Sequence, residues 1–379
     1  MLPSGGGIRV VHQFVNQLSK SFDVSLHVPC GGTLPDKGSL IRSTEYPFPM
    51  WIKPRGIMRP LAPVFLMLRL LSFKKVCMGI AGRINETADI ALVHNSMPVA
   101  APPVLGYLKI PSVYFCFEHP RHIYEGDIIR RTNNGVTELA LKPLSLLEKK
   151  IDLKSASSAN QVVALSDYMR KTILSIYGID AHIIRPGVNS DFFHPPEEFV
   201  KRDNFVLSVG AMWPFKGHDT AIRAVGMINR DVRPDICIVA DREYPGYKSK
   251  LTALADSLSV KLIIQQGIND FELRELYQRA QAVLCCQRRE PYGLVPLEAM
   301  ACEAPVIAIK EGGFIDNVID SENGFLVPPS ADSAAKSLLR VLTKQELGRK
   351  TGSSGRDFVR RERTIAGGAG KLEEILEKL

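Results

Sequence analysis

The sequence lacks the patterns that mark several protein classes. Its 379 residues include seven cysteines, an odd number, without a C-x-x-C spacing. This argues against a zinc ribbon and a disulfide framework, and it predicts small core thiols in a reducing, cytoplasmic compartment. There is no D-x-D motif between strand residues and no His/Cys cluster, so no metal site is expected. No apolar run reaches the ~18 residues that a membrane-spanning helix needs.

The composition is that of a globular protein, with 45% hydrophobic and 23% charged residues. The length is enough for two domains of ordinary size. The net charge of +8 favours phosphates, nucleic acid or an anionic membrane as partners. Because no aromatic-and-basic RNA motif is present, nucleic acid is not an expected partner.

Short β-rich runs alternate with helical stretches along the whole chain, which predicts parallel α/β layers. The strands expected in the first half are Val24–Val28, Ile90–His94, Val113–Cys116, Val162–Leu165 and His182–Ile184. Those expected in the second half are Val206–Val209, Ile236–Ala240, Leu262–Ile264, Ala282–Cys285, Val306–Ile309 and Phe325–Val327. We expect two sheets joined by a linker near Pro186.

The stretch 290–329 carries the strongest functional signal and reads EPYGLVPLEAMACEAPVIAIKEGGFIDNVIDSENGFLVPP. Glu290 and Glu298 bracket seven residues. Pro296 predicts a helix start, because its fixed φ suits the first turn, and Glu298 would then lie beside unpaired backbone N–H groups. Such a junction can hold a phosphate while a nearby carboxylate binds sugar hydroxyls.

The E-x7-E pattern, the EAMA helix start, the PVIA strand, the GG turn and the NGFLVPP segment follow one another in order. This order resembles the donor-site signature of the retaining glycosyltransferases of family 4. The resemblance implies an α/β protein with the GT-B fold, in which two Rossmann-like parallel-sheet domains face each other across a cleft. It implies domains at 1–185 and 186–360, with a helix within 361–379 that crosses back to the first domain.

The resemblance also implies a function. A hexose would pass from a nucleotide diphosphate sugar to a glycan or lipid-linked acceptor, with retention, and without a metal or another cofactor. Two other classes stay open: a non-catalytic sugar-nucleotide binder, and a nucleotide-sugar epimerase of the same architecture.

Donor-binding residues follow from the same resemblance. Glu298 would bind ribose hydroxyls. Glu290, a candidate catalytic residue, would hold the transferred sugar and the distal phosphate together with the amides of Tyr292, Gly293 and Leu294. The donor-binding positions other than Glu298 are backbone ones in loops and turns, namely Tyr292, Gly293, Leu294, Gly6, Gly7, Gly210 and Gly313.

The segment Val209–Gly217 resembles the family's diphosphate-binding turn, which usually carries an Arg and a Lys. Lys216 matches the Lys and would stabilise the leaving diphosphate. Ala211 or Met212 stands where the Arg is usually found, so one positive charge is absent. The arginines that could substitute for it are Arg185, Arg242, Arg288 and Arg289.

His119 is the candidate catalytic residue on the acceptor side. A histidine of the family lies near this point of the first domain, although the position in register is Phe117. A packed or surface histidine is the alternative interpretation.

The stretch Leu61–Phe73 is apolar, is interrupted by Arg69 and is followed by Lys74 and Lys75. It predicts either a basic amphipathic helix on the cytoplasmic face of a membrane or a core helix with snorkelling basic side chains.

The start of the chain differs from the family pattern. Only Met1, Leu2 and Pro3 precede the glycine loop 4–7, where the family has a central strand. Since losing that strand would leave unpaired backbone, we expect that Met1 is a downstream start or that the chain is a truncated form.

Overall fold

The computed structural model describes residues 6–29, 42–48, 61–128, 135–198 and 201–379, with only the backbone of 135–140. The described residues form two compact units. One unit holds 11–184 and Gly370–Leu379, and the other holds 6–10 and Arg185–Ala369.

The unit around 11–184 contains two parallel sheets. Strand β1 (Ser25–Pro29) pairs with β2 (Arg42–Tyr46), and a four-stranded sheet has the order β3 (Ala91–His94), β4 (Ser112–Cys116), β5 (Gln161–Ala164), β6 (His182–Ile183). Its helices are α1 (Gly6–Leu18), whose residues 6–10 belong to the other unit, α2 (Ala62–Thr87), α3 (Arg121–Tyr124), α4 (Gly135–Ala156) and α5 (Asp167–Tyr177).

Apolar strand faces and helices form the core of this unit. Strand β4 is buried along its whole length, and Phe73, Cys77 and Ile80 of α2 pack into the same cluster. Ser166 caps α5, because its Oγ accepts a hydrogen bond of 3.0 Å from the Met169 amide.

The unit around 185–369 is built on one six-stranded parallel sheet. The strands are β7 (Phe205–Val209), β8 (Asp235–Ala240), β9 (Leu262–Gln266), β10 (Ala282–Cys285), β11 (Val306–Ile309) and β12 (Phe325–Val327), in the order β12-β11-β10-β7-β8-β9. Its helices are α6 (His218–Gly226), α7 (Tyr247–Ser257), α8 (Asp270–Arg279), α9 (Leu294–Ala301), α10 (Phe314–Asn317), α11 (Ala331–Thr343) and α12 (Gln345–Glu362). The first part of α13 (Ile365–Leu376) also belongs to this unit, and its residues from Gly370 onward belong to the other.

The predicted strands are all present in the structure. The sequence did not predict strand β2, and it did not predict that the strands of the first half form two separate sheets. Strand β2 was not predicted, because its residues RSTEY are polar and mostly exposed, so no apolar alternation marks it. The expectation of a single sheet in the first half is wrong for the described residues, since β1 pairs with β2 in a sheet of its own. The predicted absence of a first central strand falls on residues 1–5, outside the described residues.

Arg202 joins the segment that leads into β7 to the end of α8 by hydrogen bonds. Its guanidinium donates hydrogen bonds to the carbonyls of Tyr277, Gln278 and Ala280 at the end of α8, and to that of Glu303. The carbonyls at the end of α8 have no partner within the helix. Arg202 therefore caps α8 as a cation at a helix C-terminus does.

In the part of the chain that the structure describes, no helix is long and apolar enough to cross a membrane. The described cysteines are free and buried, as predicted for small core residues.

Candidate functional site

The site lies at the carboxyl ends of β7 and β10. These two strands are neighbours in the sheet, and the chain builds outward from them in both directions, towards β8 and β11. Such a switch point leaves a crevice in which ligands of open α/β sheets bind. The turn after β7 carries Gly210 and Lys216, and the loop after β10 carries Glu290.

Lys216 and Glu290 meet although 74 positions separate them. The Lys216 Nζ lies 2.8 Å from the Glu290 Oε2, and about a fifth of each side chain is exposed (23% and 20%). The sequence singled out both residues, and the structure joins them as one ion pair at the site. A partly exposed ammonium ion of this kind can bind the phosphate of an incoming ligand.

Two buried side chains shape the turn after β7, and neither was predicted. The His218 ring contacts the Ser208 hydroxyl (2.9 Å) and the Gly210 carbonyl (3.1 Å). Burial lowers the pKa of His218 to about 4, so the ring is neutral at physiological pH. The Gln287 Nε2 donates to the Val209 carbonyl (3.0 Å), while its buried Oε1 has no partner among the described residues.

Helix α9 begins two residues earlier than Pro296 predicted. Gly293 is its N-cap and Leu294 its first residue, so Glu298 lies in the second turn and not beside the unpaired N–H groups. The prediction that Glu298 shares the first turn is wrong, because Pro296 occupies the third helical position, where a missing N–H is still tolerated.

The Gly312–Gly313 turn packs directly against the loop 290–292. A Cβ on Gly313 would lie 2.5 Å from the Pro291 carbonyl oxygen, and the Gly313 amide donates to the Glu290 carbonyl (2.7 Å). The glycine is therefore required by the contact between two loops. Tyr292 is held in the same region, since its buried hydroxyl donates to the Pro186 carbonyl.

Glu298 is nearly buried, with 4% of the residue exposed. Its Oε2 accepts a hydrogen bond of 2.9 Å from the Tyr277 hydroxyl, and its Oε1 lies 2.6 Å from the Arg9 Nη1. Burial raises the pKa of Glu298, and the charge of Arg9 opposes that rise. The guanidinium also contacts Asp270 at 3.3 Å.

Both glutamates follow β10 closely in the chain, because Glu290 lies in the loop that leads to α9 and Glu298 lies on α9 itself. Burial raises the pKa of the Cys285 thiol at the end of β10, and Cys286 and then the charges of Glu290 and Glu298 add to the rise.

Gly6 and Gly7 open helix α1 and are exposed. A Cβ on Gly6 would lie 3.1 Å from Leu294 Cδ1, so the beginning of α1 lies near the beginning of α9. Residues 6–10 belong to the same unit as α9, which brings the predicted glycines to the predicted loop.

The four arginines that could substitute for the charge absent from the turn after β7 all form ion pairs in the structure. Met212 is fully buried, and each candidate arginine pairs with a carboxylate. These pairs are Arg185–Asp316 (2.9 Å), Arg242–Asp241 (3.2 Å), Arg288–Glu311 (2.7 Å) and Arg289–Glu311 (4.0 Å).

His119 lies in the other unit. It is 3% exposed, and its Nε2 is 3.1 Å from the Glu125 Oε1, which shares its carboxylate with Arg121. Its Nδ1 is buried and has no partner among the described residues. The catalytic role of His119 stays a prediction.

The sequence did not indicate Arg9, Asp270 or Tyr277 as site residues. The capping box of α8, formed by Asn269 and Glu272, marks the start of that helix, but nothing local shows that Tyr277 faces Glu298. No group of three or more side chains suited to a metal ion occurs among the described residues.

Solved structures of similar fold have low sequence identity to this chain. Sucrose-phosphate synthase from Thermosynechococcus elongatus is 18% identical with a TM-score of 0.76, and the match covers 99% of this chain and 93% of that one. Anabaena HepE in complex with UDP and glucose is 16% identical with a TM-score of 0.75, over 100% and 98% of the two chains. The two parallel-sheet units therefore have the GT-B fold.

The family follows from two sequence models. The model described as "Glycosyl transferases group 1" matches residues 189–358, and the model "Glycosyltransferase Family 4" matches residues 4–192. The chain belongs to this family of GT-B glycosyltransferases.

Curated relatives match over only part of their length. An uncharacterized glycosyltransferase of Methanocaldococcus jannaschii is 24% identical over 58% of this chain and 61% of its own. A D-inositol 3-phosphate glycosyltransferase of Acidothermus cellulolyticus is 30% identical over 45% and 43%. The matched region is thus between two fifths and two thirds of these relatives.

Proposed function

We propose that the chain transfers a hexose from a nucleotide diphosphate sugar to a glycan or lipid-linked acceptor, with retention of configuration. The observation that carries this proposal is the ion pair between Lys216 and Glu290 at the carboxyl ends of β7 and β10, with Glu298 on the helix that follows, in a chain of the glycosyltransferase family.

Each group has a part in the proposed reaction. Glu298 accepts hydrogen bonds from the ribose, and the loop Tyr292–Leu294 with the start of α9 offers amides to the distal phosphate. Lys216 meets the charge that develops on the diphosphate as the glycosidic bond breaks. Glu290 pairs with the Lys216 ammonium, and the donor phosphate would compete for it.

The acceptor hydroxyl attacks from the same face as the departing diphosphate, whose oxygen takes the proton. No side-chain nucleophile is needed, so positioning and charge stabilisation supply most of the rate. The Lys216 ammonium and backbone amides serve in place of a metal ion. His119 would act on the acceptor side of the reaction.

The base of the donor is proposed from the neighbours alone. Anabaena HepE was solved with UDP-glucose, which supports a uridine nucleotide here. A thermal-shift screen of the full chain against UDP-, GDP- and ADP-glucose is expected to show one stabilised complex, because ligand stabilisation grows with concentration over Kd. At a concentration about 100 times the Kd the stabilisation is about 2.7 kcal/mol. A chain that responds to none of the three would contradict the proposed donor class.

A non-catalytic sugar-nucleotide binder is the second candidate. The observation in its favour is that the usual arginine position is filled by Ala211 or Met212, while the nearby arginines pair with carboxylates. Release of free sugar from the donor in the absence of acceptor distinguishes the transferase from the binder. Only an enzyme would transfer the sugar slowly to water.

We also propose that helices α2 and α4 lie on an anionic membrane surface at the cytoplasmic face. Both faces of α2 are apolar. One face packs into the core through Leu70 and Phe73, while the other exposes Leu61, Val64, Leu68, Leu71 and Met78, each by about half. The first four recur every three to four positions and Met78 follows two turns later, so they form one stripe along the helix.

Helix α4 also exposes an apolar side chain among basic ones. Leu146 of α4 is 60% exposed and is flanked on its own helix face by Lys142, Lys149 and Lys150. The acidic residues of this part of α4, Glu148 and Asp152, are buried. An apolar stripe with basic neighbours is complementary to an anionic lipid surface.

Flotation with liposomes tests the membrane contact. The chain is expected to float with anionic vesicles and to be released from them by salt. The double variant Leu68→Glu with Leu71→Glu is expected to bind these vesicles at least about tenfold more weakly. A matched control replaces Leu174 and Leu339, which are 50% and 40% exposed on other helices. Equal binding by both double variants would contradict the assignment of the surface.

A further inference from the structure

Arg9 reaches the carboxylate that the proposed function assigns to the ribose. Its Nη1 lies 2.6 Å from the Glu298 Oε1, and its Nη2 lies 3.3 Å from the Asp270 Oδ1. The Arg9 side chain is 18% exposed and that of Glu298 is 5% exposed. The pair is therefore well shielded from water, and its attraction is stronger than that of a surface ion pair.

The hydrogen bonds that Glu298 makes with Arg9 and Tyr277 do not use its full capacity as an acceptor. A carboxylate offers about four lone-pair sites on its two oxygens. Tyr277 uses one site on Oε2 and Arg9 uses one on Oε1. One site on each oxygen stays available for neighbouring hydroxyl groups, such as the two of a ribose.

We propose that Arg9 is a positioning residue for donor binding: it holds Glu298 as an oriented carboxylate whose free lone pairs face the ribose. This inference rests on the proposed function and adds to it a residue that comes from the first turns of α1. Arg9 acts through Glu298 and does not itself touch the sugar.

The surroundings of Glu298 show what Arg9 contributes. The titratable and charged groups that face it from the packed elements are Arg9 of α1, Asp270 and Tyr277 of α8, Cys285 of β10 and Cys302 after α9. Arg9 is the cation in this set that donates to Glu298. Asp270 acts in the opposite direction and raises the pKa of Glu298. Without Arg9, Glu298 would be a buried acid beside a second acid.

The pH dependence has a definite sign. Burial already raises the pKa of Glu298, and loss of the Arg9 charge would raise it further. The folded Arg9→Gln variant would then hold a proton that its unfolded state releases, so its stability relative to the wild type should fall as pH rises. Nucleotide binding should change in the opposite sense and strengthen with pH, because the ribose needs the ionised carboxylate.

The experiment measures binding of UDP, GDP and ADP by calorimetry from about pH 5.5 to about pH 8, above the ordinary range of a glutamate. For the nucleotide that binds the wild type, Arg9→Gln is expected to bind about tenfold more weakly near pH 6 and to recover part of that loss near pH 8. Arg9→Lys should recover part of the affinity at all pH values, since a lysine can pair with Glu298 but does not offer the same fork.

Two further variants make the result specific. Arg170→Gln removes an arginine that donates two hydrogen bonds to Asp180 on the other unit and should leave binding and its pH profile unchanged. In a Glu298→Gln background, Arg9→Gln should have little additional effect, because the two residues act through one contact.

The outcomes separate the two proposals. Wild-type affinity for Arg9→Gln at every pH, or an undiminished effect in the Glu298→Gln background, would overturn the role of Arg9. If the wild type binds none of the three nucleotides, the proposed function fails. The free energy of unfolding of Arg9→Gln, measured against pH without nucleotide, then still tests whether Arg9 keeps Glu298 ionised. If it changes with pH in parallel with that of the wild type, Arg9 does not keep Glu298 ionised.

Discussion

Replacement of Lys216 by Ala is expected to lower kcat by about 10²-fold or more. The ammonium lies 2.8 Å from Glu290 at the end of β10, and it is the cation that the turn after β7 offers to a leaving diphosphate. A preorganised charge that acts mainly in the transition state affects kcat more than donor binding. Steady-state kinetics with the donor identified by thermal shift measures both parameters.

A matched control exists in the same unit. Lys261 pairs with Asp235 at 2.6 Å but is 72% exposed, so Lys261→Ala removes an ion pair without touching the site and should leave kcat unchanged. The variant Glu290→Gln tests whether Lys216 acts on the diphosphate or serves only as a partner for Glu290. If it were only a partner, Lys216→Ala and Glu290→Gln would have equal kcat values. A rate for Lys216→Ala within experimental error of the wild type would remove Lys216 from the mechanism.

Replacement of Glu298 by Ala is expected to weaken donor binding by about 10²-fold or more. The variant loses hydrogen bonds between a charged acceptor and two ribose hydroxyls, each worth about 1.5–3 kcal/mol in other proteins. It also leaves Arg9 without its principal partner and opens a small cavity beside Tyr277, so the free energy of unfolding should fall as well.

The loss of stability must be separated from the loss of binding. Asp152 provides the control, because it is a buried carboxylate that accepts a hydrogen bond from a tyrosine hydroxyl, Tyr177, at 2.7 Å in the other unit. Asp152→Ala should destabilise the chain without changing nucleotide affinity measured by calorimetry. If Glu298→Ala binds the nucleotide as tightly as the wild type, the ribose role is wrong.

Most strands could be predicted from the sequence because the buried parallel strands are short apolar runs between turn residues. The six-stranded sheet shows this best, since β7, β10 and β11 are almost wholly buried. Strand β2 could not be predicted in the same way. Its pairing with β1 depends on backbone hydrogen bonds, which leave no pattern in its exposed polar side chains.

The candidate site was predicted in part. Lys216, Glu290 and the glycine turns were identified from motifs, but the partners of Glu298 were not. Arg9 is 289 positions away from Glu298 in the chain, and no local rule connects residues at such a distance. The start of α9 was misplaced because proline is accepted at several positions of a first turn, so Pro296 alone does not fix the helix boundary.

The cationic cap that Arg202 places on α8 has a consequence for work with separate pieces of this protein. A recombinant fragment intended to carry the six-stranded sheet must begin upstream of position 202, or the end of the helix that supplies Tyr277 loses its cap. A fragment that begins at Arg185 keeps the cap but omits Arg9, which lies at the opposite end of the chain. In such a fragment Glu298 would lack its contact with Arg9. The nucleotide affinity of the fragment would therefore be weaker than that of the full chain.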